Sequence, residues 1–160
     1  MSADYFPLVK GSVREYAAED ASGSGTFTVE VLEVSTGGGK TKAKCRRTVR
    51  WNGESEKTED FEVVRDAKAV RSDTGVEFKL PAAVGTKWIE SPNEYSIDSL
   101  DAAIETPAGR FANCLRVAYL IAGGDGGNGE RHYAPGVGLV KVVHQDEGEP
   151  FKHELIAYSG

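Results

Sequence analysis

Apolar side chains recur at every second position through most of this chain, and the breaks between such runs are filled by glycine, asparagine, serine and proline. Period-two alternation is the mark of a half-buried strand. The clearest run is residues 40–51, with Ala43, Cys45, Val49 and Trp51 on one face and Lys42, Lys44, Arg46 and Arg50 on the other. Just before it, Phe27, Val29 and Val31 alternate with Thr28 and Glu30 until Leu32 and Val34 take over the apolar phase. A phase change inside a strand predicts a bulge, here near Val31. After the run, Asn52-Gly53 predicts a hairpin, because both residue types accept the left-handed backbone of a type I′ turn. A strict two-residue loop would bring Glu56, Asp60 and Glu62 onto the apolar face. A pairing slipped by one residue instead sets Phe61 opposite Cys45 and Val63 opposite Ala43, and gives Arg50, Arg46 and Lys44 the carboxylates of Glu56, Asp60 and Glu62. Opposite charges across strands stabilise and a flipped apolar face destabilises, so the slipped register is expected.

The same reading places strands over residues 12–18, 67–71, 76–80, 86–91, 95–105, 111–121, 130–133, 138–145 and 151–158. The first of these competes with a helix, since Ser12-x-x-Glu15 fits a capping box. Its later counterpart, Thr86-Lys-Trp-Ile-Glu-Ser-Pro92, is β-branched, aromatic and ends at proline, which suits a strand. Thr106-Pro107-Ala108-Gly109-Arg110 suggests a three-residue hairpin loop with Gly109 in a G1 bulge. Gly123 to Gly129 reads as a mobile loop. No stretch holds a helical period for three turns.

Two segments echo each other. Thr36, Gly39, Lys40, Ala43, Cys45 and Arg47 align with Thr106, Gly109, Arg110, Ala112, Cys114 and Arg116, and Pro7-x-x-x-Gly11-Ser12 recurs as Pro81-x-x-x-Gly85-Thr86. Two matches at nearly one offset indicate an internal duplication. The expected fold is therefore all-β: antiparallel sheets of about ten to twelve strands, as a sandwich or an open barrel. It forms a single domain over 1–160, built from similar halves at approximately 5–80 and 81–158. Cys45 and Cys114 hold corresponding places, so they are either two small buried core residues or a disulfide near a pseudo-twofold axis.

At 160 residues, with 39% hydrophobic and 28% charged residues, the chain can build a true core. A net charge of -6 argues against a nucleic-acid partner, which would want clustered basic residues. The alternating basic row of residues 42–50 does not change this, because the slipped register neutralises it. No apolar run is long enough for a transmembrane helix, and Met1-Ser2-Ala3-Asp4 has neither the basic nor the apolar region of a signal peptide. Location is thus periplasmic or extracellular if a leader precedes this stretch, and cytoplasmic otherwise.

Chemistry finds few addresses. Gly37-Gly38-Gly39-Lys40-Thr41 ends like a phosphate-binding loop, but Val34 occupies the place of the leading glycine and a strand follows where a helix is required. Asp125 and Asn128 in the glycine-rich loop match no calcium-loop spacing. His132, His144 and His153, near Asp146 and Glu147, lack the spacing of helical zinc ligands and would have to meet across strands. No nucleophile elbow occurs. The expectation is no catalytic residue, no metal and no cofactor.

The Thr106-to-Phe111 hairpin, the Asn113-Cys114-Leu115-Arg116-Val117 strand and the segment Tyr133-Ala-Pro-Gly-Val-Gly-Leu-Val-Lys141, in that order, resemble the TapB-like group of bacterial secreted or lipoprotein domains. The resemblance is specific from Thr106 to Lys141, and implies an all-β envelope domain without implying chemistry. Two functions fit. One is a non-enzymatic envelope module with a structural or protein-interaction role, through a concave face between its halves. The other is a carrier holding a lipid or small apolar molecule in a cavity open at one end.

Overall fold

A computed structural model describes residues 3–122, 127–146 and 148–160. Residues 123–126, which fall in the loop expected to be mobile and weighed for calcium, and Glu147 lie outside the described residues. Twelve strands occur in order: β1 (Val13–Asp20), β2 (Gly23–Gly37), β3 (Lys40–Trp51), β4 (Lys57–Arg65), β5 (Ala69–Ser72), β6 (Gly75–Lys79), β7 (Lys87–Glu90), β8 (Asn93–Thr106), β9 (Gly109–Leu120), β10 (Asn128–Ala134), β11 (Gly138–Gln145) and β12 (Phe151–Ser159). They form one antiparallel sheet in the order β6-β5-β4-β3-β2-β1-β12-β11-β10-β9-β8-β7. Consecutive strands are neighbours throughout, except that β1 pairs with β12 and the sheet's two edges are the sequence neighbours β6 and β7.

The sheet curls until these edges nearly meet, which selects the open-barrel expectation over the sandwich. Side chains span the seam in place of a backbone ladder. Both carboxylate oxygens of Glu90 accept the Val76 N–H at 3.1 Å, while Arg131 Nη2 donates to the Val76 and Glu77 carbonyls at 3.1 and 2.7 Å. Edge groups that would otherwise be unpaired are thereby satisfied.

Local expectations in the first half are met closely. β2 shifts register between Val31 and Glu33. Asn52 and Gly53 adopt φ of 47° and 73°, and Glu54 N–H closes the turn on the Trp51 carbonyl at 2.7 Å. Beyond it the pairing is the slipped one, with Cys45 opposite Phe61, Ala43 opposite Val63 and Lys44 opposite Glu62. Arg46 and Asp60 form an ion pair at 2.8 Å, and Arg50 and Glu56 one at 2.5 Å. The β8–β9 loop is shorter than expected: Thr106 pairs with Gly109, so only Pro107 and Ala108 lie outside the ladder, and Gly109 has φ of 138°.

Closure makes one face of every strand an inner face. Val31, Cys45, Val63, Val70, Phe78, Ile97, Leu115 and Tyr133 form one buried cluster; Tyr16, Cys114, Val140 and Leu155 belong to a second. The segment before β1 covers one end of the barrel. Asp4 is bound by Arg65 at the end of β4 and, through its carbonyl, by Gly136 N–H of the β10–β11 turn. These lie six strands apart, on opposite walls, so the segment crosses the opening, and Tyr5, Phe6 and Leu8 pack onto the larger cluster beneath it.

Candidate functional site

Twelve strands enclose more room than side chains readily fill; eight already suffice for a packed interior. The surplus here is a chamber of about 460 Å³. It runs from Phe6 and Leu8 under the crossing segment to Trp51, Phe151 and His153 toward the other end. A larger hollow of about 580 Å³ lies beside Trp88 and Tyr95, but it is shared with solvent-facing Ile89 and Leu120, so it is a recess at the rim.

Inner-face alternation places aromatic rings side by side along one wall. Tyr16 stacks on Phe27 at 4.8 Å, Phe27 meets His153 at 4.9 Å, and His153 adjoins Phe151 at 5.0 Å. Phe151 stacks on His144 at 4.6 Å, and Tyr119, Tyr95 and Trp88 continue the arc. Tyr119 Oη and His144 Nδ1 share a 2.7 Å hydrogen bond, and burial pushes the Tyr119 hydroxyl up to about 12, so it stays protonated. His153 is pushed down to about 4, first by burial and then by the charge of Arg47, and is neutral at pH 7.

The remaining polar groups are few and bound. Arg47 lies over the Phe61 ring at 4.3 Å and pairs with Glu59 at 2.6 Å and Asp73 at 2.9 Å. The Glu77 carboxylate accepts hydrogen bonds from Tyr133 at 3.0 Å, Ser72 at 2.7 Å and Thr74 at 3.2 Å. Arg14 donates to the Val137 and Pro7 carbonyls, and Tyr16 Oη donates to the Leu139 carbonyl at 2.7 Å. The Tyr133-to-Lys141 segment singled out in the sequence is thus the β10–β11 hairpin that anchors β1.

The histidines are not brought together. His144 and His153 lie in the aromatic arc, whereas His132 faces outward between Arg116 and Lys141, its cross-strand neighbours. Among the described residues no group of three His, Cys, Asp or Glu is placed to hold a metal. Cys45 and Cys114 are free and buried, each the sixth residue of its strand, but they sit in different clusters and the structure does not bring them together as a disulfide. Sequence reasoning missed Arg14, Arg47 and Arg131. A signal was present: each puts a charge at a position whose strand phase is otherwise inward.

Fold and chamber together define a near-closed, single-sheet up-and-down barrel with an apolar interior. Two solved structures share this fold over their whole length. One is described as a presumed lipoprotein from Parabacteroides distasonis, with 17% identity, a TM-score of 0.68, and coverage of 98% of this chain and 99% of that one. The other is described as a presumed exported protein with a YmcC-like fold from Bacteroides fragilis, with 13% identity, a TM-score of 0.73, and coverage of 99% and 100%. No family model and no curated protein matches the chain.

Proposed function

We propose that this protein is a non-enzymatic carrier of the bacterial cell envelope that holds a small apolar molecule inside its barrel. The observation that carries this reading is the chamber of about 460 Å³, apolar along most of its wall and covered at one end by the crossing segment. Small-molecule sites have this size and this mix of apolar lining with a few fixed polar groups. Placement in the envelope is supported by the lipoprotein and exported descriptions of the two structures with the same fold. An origin by duplication of residues 5–80 and 81–158 belongs to the same proposal. It is supported by the strand order, in which a shift of six strands sets β2–β3 on β8–β9.

The test is uptake of the neutral dye N-phenyl-1-naphthylamine, whose fluorescence rises in apolar surroundings. Wild type should bind it, and Val49→Trp, which fills the chamber from β3, should reduce binding at least tenfold while the circular dichroism spectrum is kept. Native mass spectrometry should also show a co-purifying species. No dye uptake by folded wild-type protein would sink the carrier reading and favour a purely structural or protein-interaction role.

A further inference from the structure

Charges inside the barrel do not balance, and the imbalance has a chemical reading. Among the described residues, Arg14, Arg131 and Glu77 are the charged groups whose partners lie within the interior. Arg14 is 9% exposed and Glu77 7%. Arg47 also lines the chamber but carries its own carboxylates, Glu59 and Asp73. Neither Arg14 nor Arg131 forms an ion pair among the described residues; both are held by backbone carbonyls. Carbonyl dipoles orient a guanidinium without cancelling its charge. Two cations against one carboxylate leave one net positive charge in a low-dielectric space, a costly arrangement unless a counter-charge enters.

Resting on the carrier reading, we propose that the ligand is a monoanionic amphiphile whose head group sits against Arg131 and whose apolar body lies along the wall of Phe27, Trp51 and Phe151. Arg131 is the better seat of the two. Arg14 is more occluded and commits both Nε and Nη2 to carbonyls. In Arg131 the hydrogen bonds that fix the side chain come from Nη2, Nε has no partner among the described residues, and the guanidinium lies over Tyr95 at 5.1 Å and Tyr119 at 5.8 Å, facing the chamber. A guanidinium suits a carboxylate or a similar planar or tetrahedral oxyanion. Among the described residues that line the chamber, Arg47 carries its own carboxylates, His153 is neutral, and Glu77 offsets one of the two guanidiniums of Arg14 and Arg131, so one negative charge is the capacity of the site.

Displacement of N-phenyl-1-naphthylamine by dodecanoate, dodecanol and dodecylammonium at pH 8 tests this on the full chain. Dodecanoate is expected to bind at least tenfold more tightly than dodecanol, and dodecylammonium more weakly than either. In Arg131→Gln, which keeps a donor for the Val76 and Glu77 carbonyls, the acid-to-alcohol ratio should fall to near one while the dye still binds. Equal affinity of wild type for acid and alcohol would overturn the head-group assignment and leave the carrier reading standing. A tenfold preference that survives in Arg131→Gln would overturn the choice of Arg131. Should that variant fail to fold, the order of the three wild-type affinities decides the head-group charge and Arg14→Gln decides the seat, since loss of the acid preference there would overturn the choice of Arg131. Failure of the dye itself to bind would remove the carrier reading and this assignment with it.

Discussion

His132 shows how a residue's neighbours can reverse its ordinary behaviour. It lies on the outer face of β10 yet is only 3% exposed, and its Nδ1 is buried without a partner among the described residues. Burial, then the charges of Arg116 and Lys141, hold its pKa down at about 4. The Asp98 carboxylate favours the imidazolium, and half-exposed Glu130 lies 3.4 Å from Nε2, but burial and the two cations outweigh them. The folded-state value lies below the ordinary 6.5, so between these values the unfolded chain binds the extra proton. Stability should therefore fall as pH drops from about 6.5 to about 4, with no further loss from this group below that. The full effect is on the order of 3 kcal/mol. Urea unfolding at a series of pH values should show this slope in wild type and a flatter one in His132→Gln; parallel slopes would contradict it. Arg47 makes the complementary point about reading a sequence. The β3 pattern identifies its apolar face from Ala43, Cys45, Val49 and Trp51, and Arg47 shares their phase, but alternation alone cannot say whether a stray charge marks a strand end, an exposed rim or a lined chamber.

At the scale of elements, the β3–β4 hairpin was readable because two independent signals agreed. Asn52-Gly53 fixed the turn, and the requirement that apolar and charged rows each meet their own kind fixed the one-residue slip found beyond it. Asn52 also does something no local pattern reveals: its Oδ1 accepts the Ser24 N–H at 3.0 Å and its Nδ2 donates to the Ser22 carbonyl at 3.4 Å, tying this turn to the β1–β2 turn. Asn52→Gly, which keeps the backbone conformation and loses the bonds, should cost about 1 kcal/mol. Asn52→Ala adds the strain of a positive φ and should cost about 2 kcal/mol. Urea midpoints at unchanged m-value measure both, and equal losses would mean that the turn conformation contributes nothing. The β8–β9 hairpin was read less well. Its ladder shifts register three times between Ile97 and Ile104, and Asn113 takes φ of 55°, so that Cys114 and Leu115 are both buried. Irregularities of that kind depend on how a long strand must bend around the barrel, which neighbouring residues do not encode.

For the whole molecule, strand number and antiparallel class could be read from alternation and turn chemistry, but closure could not. Nothing in the strands announces that β1 meets β12, that Glu90 ties β7 to β6 or that Arg131 reaches from β10 to β6, and the chamber exists only because of that closure. The β1–β12 pairing is also the one ladder whose partners lie at opposite ends of the described chain. A circular permutant, with residue 160 joined to residue 3 by a flexible linker and new termini between Ala83 and Val84 in the exposed β6–β7 connection, would place all twelve strands in the succession in which they lie side by side. Long-range loop closure slows folding, so the rearranged polypeptide should refold faster than the native order while taking up the same dye, as stopped-flow refolding would show. In the natural order, the belt is buckled only when its tail finds its head.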